Sequence, residues 1–598
     1  MKLLHLKITD PKGFRSLQAG FEYQFRSDWD LQEEQGFAPF VCAGPNGSGK
    51  SNLLEVLAAI FYHLECMYLE NLPDSFRNDE ETNPRGFRSE KAIPDGFEIE
   101  YLIHPQDALK TKGHNGQAQL RVTKKPGEAP KWFLLNHEEQ EGAVELTIGQ
   151  TLARQLLPDY ILAYSSGENE ILSLPFFKMR FVQFDEYWQA LAQQLPYPGR
   201  PESRMVYLDS GFSQAILLCI LLFRDEDSLE QLRKDVGIEA LKEFRIIVKR
   251  TIEIRAEHVL DFQQSGMPAF ESIYEVVDDH PALEVVDDET SLEAKFKVNL
   301  VKLLEADEKS ASKFDPVITR LKRCATCWFD DEATDTLYLD YFVNDATKQA
   351  FRENFDFEVN CSPIALFHAL QVLLTLNLYS ASSSLKRDLY QSDSLYVSET
   401  VPTLASDERI IRFKDFWLKK KGVAKPVLLK SFSDGEHQLL HTLGLCLLFK
   451  HTNSLFLLDE PETHFNPDWR ANFATHLHQS FAGAGDQEML VTTHTPFLIS
   501  DSRPEKVLVF DKTDDVVSVS RPDYNTLGAS INKITMATFG KRETIGARAQ
   551  AILEGMRQRF EQGEDKEKLV TEIERDLGDS VEKALLIKTI LDATESQG

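Results

Sequence analysis

Cysteine is scarce in this chain: seven residues in 598, an odd number and widely scattered. That excludes a disulfide framework and fits a reducing, cytosolic setting. Long apolar runs are missing as well. The longest, residues 215–223 and 439–449, fall short of the roughly 18 residues that a membrane-spanning helix needs. The opening Met1-Lys-Leu-Leu-His-Leu-Lys-Ile8 alternates like a strand and holds no apolar signal core. The expectation is a cytoplasmic protein with no membrane partner. Positive charge is in short supply, with 66 Lys and Arg against 95 Asp and Glu and a net charge of −29. Attraction to nucleic acid or to an anionic membrane through overall charge is thereby excluded, though a local basic patch is not. No heptad pattern persists, which excludes a long coiled coil.

What is present is ordinary globular material: 42% hydrophobic and 27% charged residues exclude wholesale disorder. The length suits about four domain-sized pieces. Apolar patterning predicts strands at 3–8, 37–43, 97–104, 119–124, 131–135 and 160–164. Leu53, Leu54, Leu57, Ile60 and Phe61 predict a helix over 52–63. Residues 67–95, rich in Asn, Pro, Asp and Arg, read as a long loop. Helices are expected at 187–195, 212–223, 228–252 and 364–379. Two acidic stretches, 275–288 and 329–345, are broken by β-like runs such as Thr336-Leu-Tyr-Leu-Asp-Tyr-Phe-Val343. Beyond a loose Ser- and Asp-rich connection at 380–407, the pattern predicts a strand at 411–418, a helix at 437–449, a strand at 454–458, a helix at 468–480 and a strand at 488–493. Leu569, Ile573, Leu577, Val581, Leu585 and Ile590 mark amphipathic helices in the tail.

Four motifs carry chemistry. Gly44-Pro45-Asn46-Gly47-Ser48-Gly49-Lys50-Ser51 fits G-x-x-x-x-G-K-[ST] between a predicted strand and a predicted helix. Its glycines let backbone N–H groups turn inward around phosphate oxygens. Lys50 brings a point charge to the β- and γ-phosphates, and the Ser51 hydroxyl suits Mg2+. The helix that follows points its positive end at the same anion. Ser454-Leu-Phe-Leu-Leu-Asp459-Glu460 is an apolar strand that delivers two carboxylates to the mouth of a parallel sheet. Asp459 suits Mg2+ held through water, and Glu460 suits polarising the attacking water. Upstream, Ser431-Phe-Ser433-Asp-Gly435-Glu436-His-Gln438 opens a helix, where Ser433 and the N–H groups near Gly435 offer donors to a γ-phosphate. His494, in Val491-Thr-Thr-His494-Thr-Pro496, closes a strand, and its imidazole can hydrogen-bond the γ-phosphate and the water.

In this order, the four motifs resemble the ABC-type ATPase head shared by the SMC, RecF, RecN and OLD families. Leu458-Asp-Glu-Pro-Glu462-Thr-His464-Phe-Asn-Pro467 and Gly13-Phe-Arg15-Ser-Leu17 are most similar to the soluble OLD/RecF-like branch. The resemblance spans roughly residues 1–60, 97–165 and 405–515. It implies an α/β fold: a P-loop parallel-sheet core plus a small antiparallel subdomain, interrupted by a mostly helical insert and followed by a helical C-terminal tail. The corresponding segments are head lobe I, 1–178; insert, 179–404; head lobe II, 405–530; and tail, 531–598.

The resemblance also implies Mg2+-dependent ATP hydrolysis, with Glu460 and His494 catalytic and Ser51 and Asp459 on the metal. Two heads form a homodimer, or part of a larger homo-oligomer, head to tail. Each ATP then lies between loop 44–51 of one chain and Ser433, Gly435 and Glu436 of the other, with residues 462–464 as the D-loop at the seam. One departure stands out. The glutamine of the Q-loop is missing from Ser165-Ser-Gly-Glu168-Asn169-Glu170, leaving Glu168 or Asn169 for metal sensing.

OLD proteins carry a TOPRIM nuclease after the head, but no Asp-x-Asp in strand context follows Lys512 here. The combination resembles the PtuA-type ATPases of Septu and retron antiphage systems, which pair with an HNH-type effector nuclease. The expected function is ATP-dependent regulation of such a nuclease in antiphage defence. The alternative is a RecF/SMC-like DNA-maintenance ATPase that clamps or senses DNA or another nucleic acid. A membrane-transport subunit fits poorly with the large insert. The clusters Lys419-Lys-Lys421 and Lys249-Arg250 suit DNA phosphates or a solvated face. Cys324-Ala-Thr-Cys327 reads as two ordinary thiols, because a zinc hook needs four ligands drawn from two chains.

Overall fold

The computed structural model describes residues 1–592 apart from 35, 106–108, 114–115, 168–169, 198, 225–228, 264–271, 287–294, 306–314, 357–362, 395, 486 and 541–544. At its centre stands a seven-stranded sheet. In chain order its strands are β1 (Phe40–Ala43), β2 (Ile161–Ser165), β3 (Met205–Tyr207), β4 (Leu455–Asp459), β5 (Glu488–Thr493), β6 (Val507–Thr513) and β7 (Val516–Ser520). Their spatial order is β7-β6-β1-β5-β4-β2-β3, parallel throughout except for β7, which pairs antiparallel with β6.

Both faces of this sheet are covered, so successive residues of one strand enter different cores. Phe40 and Cys42 pack with Leu455 and Leu457 on one face. Val41 and Ala43 pack with Phe456 and Leu458 on the other. That double burial explains why β4 reads as an unbroken apolar run. Strands β1, β5 and β4 are neighbours and run the same way, so the chain segments leaving Ala43, Asp459 and Thr493 emerge side by side at one rim, where ligands bind in such sheets.

On the first face lie helix α1 (Lys50–Cys66) and a six-stranded antiparallel sheet. That sheet runs Glu22–Gln24, Lys2–Ile8, Phe97–Ile103, Ala118–Lys124, Lys131–Leu134 and Val144–Leu146 in spatial order. On the second face pack α2 (Ser210–Phe223), α3 (Ile364–Thr375), α4 (Asp434–Leu448) and α5 (Pro467–Ser480). The arrangement is an α/β fold with a parallel core and a smaller antiparallel sheet, the architecture that the sequence resemblance implies. No single helix among the described residues is long and apolar enough to cross a membrane.

The central segment differs from expectation. The patterning predicts one helix over residues 228–252. Instead a short helix, Glu230–Asp235, gives way to strands Ile238–Lys249 and Thr251–Ile254. Phe244, Ile246 and Val248 alternate inward, and β-branched residues favour the pleated backbone. The strand pairs antiparallel with Thr336–Phe342 on one side and Ile411–Lys420 on the other. Two flanking strands, Cys327–Asp331 and Val427–Leu428, complete a five-stranded sheet with members on either side of residue 404. A three-stranded sheet joins Thr251–Ile254, Lys295–Asn299 and Leu283–Val286. The insert is mostly helical, as expected, but also carries strands of these two sheets.

The tail is helical, as expected: Ile531–Phe539, Ala547–Glu561, Lys566–Asp576 and Val581–Asp592. Leu569, Ile573 and Ile590 are buried, whereas Val581 and Leu585 stay more than half exposed.

Burial sets a pH dependence of stability. It pushes the carboxyls of Glu55, Glu65 and Glu462 up to about 7 and that of Glu186 to about 8. Each such group binds a proton in the folded state that the unfolded chain has already lost. Stability therefore falls as pH rises from the unfolded value of 4.5 to the folded one. Buried His63 and His441 are pulled down to about 4 and His368 to about 3. They act oppositely, but only below the unfolded value of 6.5. Buried Lys178 and Lys506, lowered to about 8, contribute only above that. The melting temperature is expected to fall between about pH 6.5 and 8, with each carboxyl contributing at most about 1.4 kcal/mol per pH unit. Glu186→Gln should flatten the slope in a calorimetric pH series. A melting temperature that climbs across this interval would contradict the assignment.

Candidate functional site

Strand β1 ends at Ala43, and the chain turns through loop 44–51 into α1. Gly44, Gly47 and Gly49 have φ of 146°, 75° and 99°, a region that L side chains avoid. A Cβ on Gly44 would stand 2.3 Å from the carbonyl oxygen of Phe510, so the loop lies directly against β6. Pro45, Asn46 and Gly47 are exposed, while Ser48 and Lys50 are buried. Lys50 Nζ donates to the carbonyl oxygens of Gly44 (3.1 Å) and Pro45 (2.9 Å), curling back over its own loop. Burial draws the Lys50 pKa below the ordinary lysine value against the pull of Glu460 and Asp459. The early motif braces this helix. Ser16 Oγ donates to Asn52 Oδ1 (2.5 Å), and Arg15 Nε donates to Glu55 Oε1 (3.0 Å).

Across the rim, β4 delivers its two carboxylates. Ser51 Oγ donates to Asp459 Oδ1 at 2.9 Å, although the two residues are far apart in sequence. Thr492 Oγ1 donates to the same oxygen at 2.6 Å and accepts from the Glu460 N–H at 3.0 Å. Thr492 escaped the sequence reading. Its only signal was a hydroxyl two places before His494 on the same strand end.

Glu460 has φ of 49°, a left-handed conformation that costs a non-glycine residue about 1–3 kcal/mol. The bond to Thr492 and a second one, from Thr463 Oγ1 to the Glu460 carbonyl oxygen (3.0 Å), hold it there. Glu460 Oε1 meets His494 Nε2 at 2.9 Å. That hydrogen bond is the main reason its carboxyl lies below the ordinary value, with burial opposing. The Glu460 carboxyl is thus tied to an imidazole that favours its ionised form.

The turn at residues 433–436, hereafter the signature turn, is built as a capped helix start. Ser433 caps α4 in a capping box with Glu436. Glu436 Oε2 accepts from Ser433 N–H (2.8 Å) and Oγ (3.0 Å), and Oε1 pairs with Lys420. Burial would raise the Glu436 carboxyl, but Lys420 and Ser433 outweigh it and hold it below its usual value. These side chains bond one another rather than loop 44–51, and Ser433 faces solvent.

From Gln438 a bridge runs back to the carboxylates. Gln438 Oε1 accepts from the His464 N–H at 2.8 Å, and Nε2 donates to the Glu460 carbonyl oxygen at 3.5 Å. The Glu462 carboxylate accepts from Thr493 Oγ1 in the buried interior. A Cβ on Gly435 would stand 2.7 Å from the His464 carbonyl oxygen. Gly435→Ala is therefore expected to push the 462–464 loop away and cost about 1–3 kcal/mol, read as a lower melting temperature. An unchanged melting temperature would mean that this loop yields freely.

The structure thus gathers Lys50, Ser51, Asp459, Glu460 and His494 at one rim and leaves Ser433, Gly435 and Glu436 on a separate, partly exposed turn. Glu168 and Asn169 lie outside the described residues. Just before them, Ser166 N–H donates to the Asp459 carbonyl oxygen (3.1 Å), and Ser166 Oγ lies 3.0 Å from Thr463 Oγ1. Cys324 is buried, with Sγ donating to the Ala350 carbonyl oxygen (3.4 Å), and Cys327 is exposed. Neither joins a cluster of metal-ligating groups among the described residues. Lys419 is paired with Glu239 (2.7 Å) and Arg250 with Asp330 (3.7 Å), so both basic clusters are partly neutralised.

Residues 334–500 match the family model described as "AAA domain, putative AbiEii toxin, Type IV TA system". The match takes in β4, β5 and the signature turn but not loop 44–51. No curated protein matches. Among solved structures, an SMC head bound to the C-terminal winged-helix domain of ScpA is 11% identical, covering 87% of this chain and 97% of its own, with a TM-score of 0.28. An SMC head with an extended coiled coil bound to the C-terminal domain of ScpA, derived from Pyrococcus furiosus, is 13% identical, covering 93% and 99%, with a TM-score of 0.29. Over residues 334–500 the chain is thus similar to an AAA domain, and that stretch holds the carboxylates of Asp459 and Glu460 and the imidazole of His494.

Proposed function

We propose that the chain is a Mg2+-dependent ATP hydrolase that dimerises head to tail, the heads of two copies closing around ATP, and so controls a separate effector nuclease. One observation carries the enzymatic part: Ser51 and Asp459 share a 2.9 Å hydrogen bond beside a Glu460–His494 contact of the same length. The metal position on this reading has oxygen donors only, a hydroxyl and a carboxylate, which suits Mg2+. When bound, the ion would neutralise charge on the β- and γ-phosphates. Loop 44–51 cradles the phosphate chain, and Lys50 swings from the Gly44 and Pro45 carbonyls to the phosphate oxygens. Glu460 accepts the proton of the attacking water, and His494 holds that carboxylate in place. Thr492 keeps both carboxylates aimed.

What one chain leaves open supports the dimer reading. Ser433 faces solvent at a helix start and makes its side-chain bonds away from loop 44–51, so a second copy's phosphates are its natural partner. The Gln438 bridge would report closure to Glu460. The effector, an HNH-type nuclease as in the PtuA-type systems, and the antiphage role rest on the sequence resemblance.

The test is ATP turnover by the purified chain with and without Mg2+, followed by co-purification from the native host. Mg2+-dependent phosphate release and a co-purifying nuclease are expected. Turnover indifferent to chelation would overturn the enzymatic reading, and salt-sensitive DNA binding without a nuclease would favour the DNA-clamping alternative.

A further inference from the structure

Behind the phosphate loop, on the far side of α1, lies a cavity of about 660 Å3 that the ATP chemistry does not use. That volume is in the range of small-ligand sites. One wall is α1 itself, through Glu55, Ala59, Tyr62 and His63. The opposite wall is the irregular segment 67–95, which the composition marked only as a long loop. The floor is aromatic. Phe76 and Phe87 stack with centroids 5.1 Å apart at 14°, and Tyr390 meets Phe76 edge-on at 4.7 Å. Phe76 is fully buried, whereas Phe87 remains partly open.

The rim carries the opposite chemistry. Arg85 and Lys91 are exposed, and Arg88 is half-buried with Nη2 donating to the Pro84 carbonyl oxygen at 3.3 Å. Among the described residues these three cations form no ion pair. Of the carboxylates lining the cavity, Glu55 pairs with Arg15 (3.0 Å), Asp95 with Lys124 (2.7 Å), and Asp393 acts on the buried Lys178. In a chain of net charge −29, three cations outside any ion pair among the described residues, around an aromatic floor, run against the overall charge. A planar apolar ring with an attached anion fits both halves. A phosphate answers the guanidinium and ammonium groups, and an aromatic base answers Phe87.

We propose that this cavity binds one nucleoside monophosphate unit, with the base against Phe87 and Phe76 and the phosphate on Arg85, Arg88 and Lys91. The unit comes either as a free nucleotide or as the phosphorylated end of a single strand. Because Glu55 and Arg15 line the cavity and brace the first turns of α1, occupancy bears on the helix that carries Lys50 and Ser51.

The experiment is calorimetric titration of the full-length Lys50→Ala chain with two probes, AMP and a five-residue oligothymidylate bearing a 5′-phosphate. Saturable binding of at least one probe is expected. It should weaken about tenfold or more in Arg85→Ala/Arg88→Ala/Lys91→Ala and about tenfold in Phe87→Ala, and persist in Phe87→Trp. Circular dichroism confirms that each variant folds, the three cations being largely surface groups. Binding of AMP identifies a free-nucleotide site. Binding of the oligonucleotide alone, lost without its 5′-phosphate, identifies a strand-end site. The proposal is overturned if neither probe saturates, or if binding survives the triple substitution. Binding seen with Lys50 intact but absent from Lys50→Ala would assign the signal to the phosphate loop and overturn it equally, without touching the ATPase reading.

Discussion

Lys50→Ala is expected to lower ATP affinity at least about 100-fold while leaving the fold intact. The native ammonium donates only to two carbonyl oxygens of its own loop, so its removal leaves no buried carboxylate unpaired. In the nucleotide complex the same group supplies charge-assisted hydrogen bonds to phosphate, and loss of about 3 kcal/mol there is about a hundredfold in affinity. Asp459 and Glu460 then face the phosphates with one positive charge fewer between them. Titration of a fluorescent ATP analogue reads the effect directly, with circular dichroism as the control for folding. Affinity within threefold of the parent chain would remove Lys50 from the phosphate site.

Glu460→Gln should act on the other half of the cycle. The amide has the size and shape of the carboxylate and keeps a group near His494, but it cannot take a proton from water. Turnover is expected to fall about 100- to 10,000-fold, with ATP affinity preserved or improved. Because hydrolysis is what reopens the proposed pair of heads, the variant should accumulate as an ATP-dependent dimer on size-exclusion chromatography. Dimer formation without turnover would separate Glu460 from Lys50, whose loss prevents both. Undiminished phosphate release by Glu460→Gln would move the base elsewhere.

Much of the candidate site was legible because its chemistry is local in the chain. The glycines at 44, 47 and 49 sit where the backbone needs left-handed torsions, and the flanking strand and helix have clear periods. The run from Leu455 to Asp459 is apolar throughout because β4 is buried on both faces. What stayed hidden is what only tertiary contact defines. Thr492 looks like any strand threonine until Asp459 and the Glu460 N–H arrive beside it. Gln438 is one more polar residue in a helix until His464 docks on it.

The strand Ile238–Lys249 shows the same limit in the fold. Ile238, Leu241 and Phe244 are spaced three apart, which mimics a helix, and the period-two signal begins only at Phe244. Its partners lie about a hundred residues and more downstream, at Thr336–Phe342 and Ile411–Lys420. Pairing over that distance, with register shifts against Ile411–Lys420, leaves no trace in a local window. The consequence reaches the site, because Ile411–Lys420 carries Lys420, the partner of Glu436. The five-stranded sheet that joins insert and head thereby braces the turn at Ser433.

The most direct measurement is a structure of the Glu460→Gln chain with ATP and Mg2+. The expected result is one triphosphate enclosed by loop 44–51 of one copy and residues 433–436 of a second, with Ser51 and Asp459 on the metal side and His494 near the terminal phosphate. Nucleotide bound away from Lys50, or enclosed by a single chain with Ser433 still facing solvent, would contradict the account.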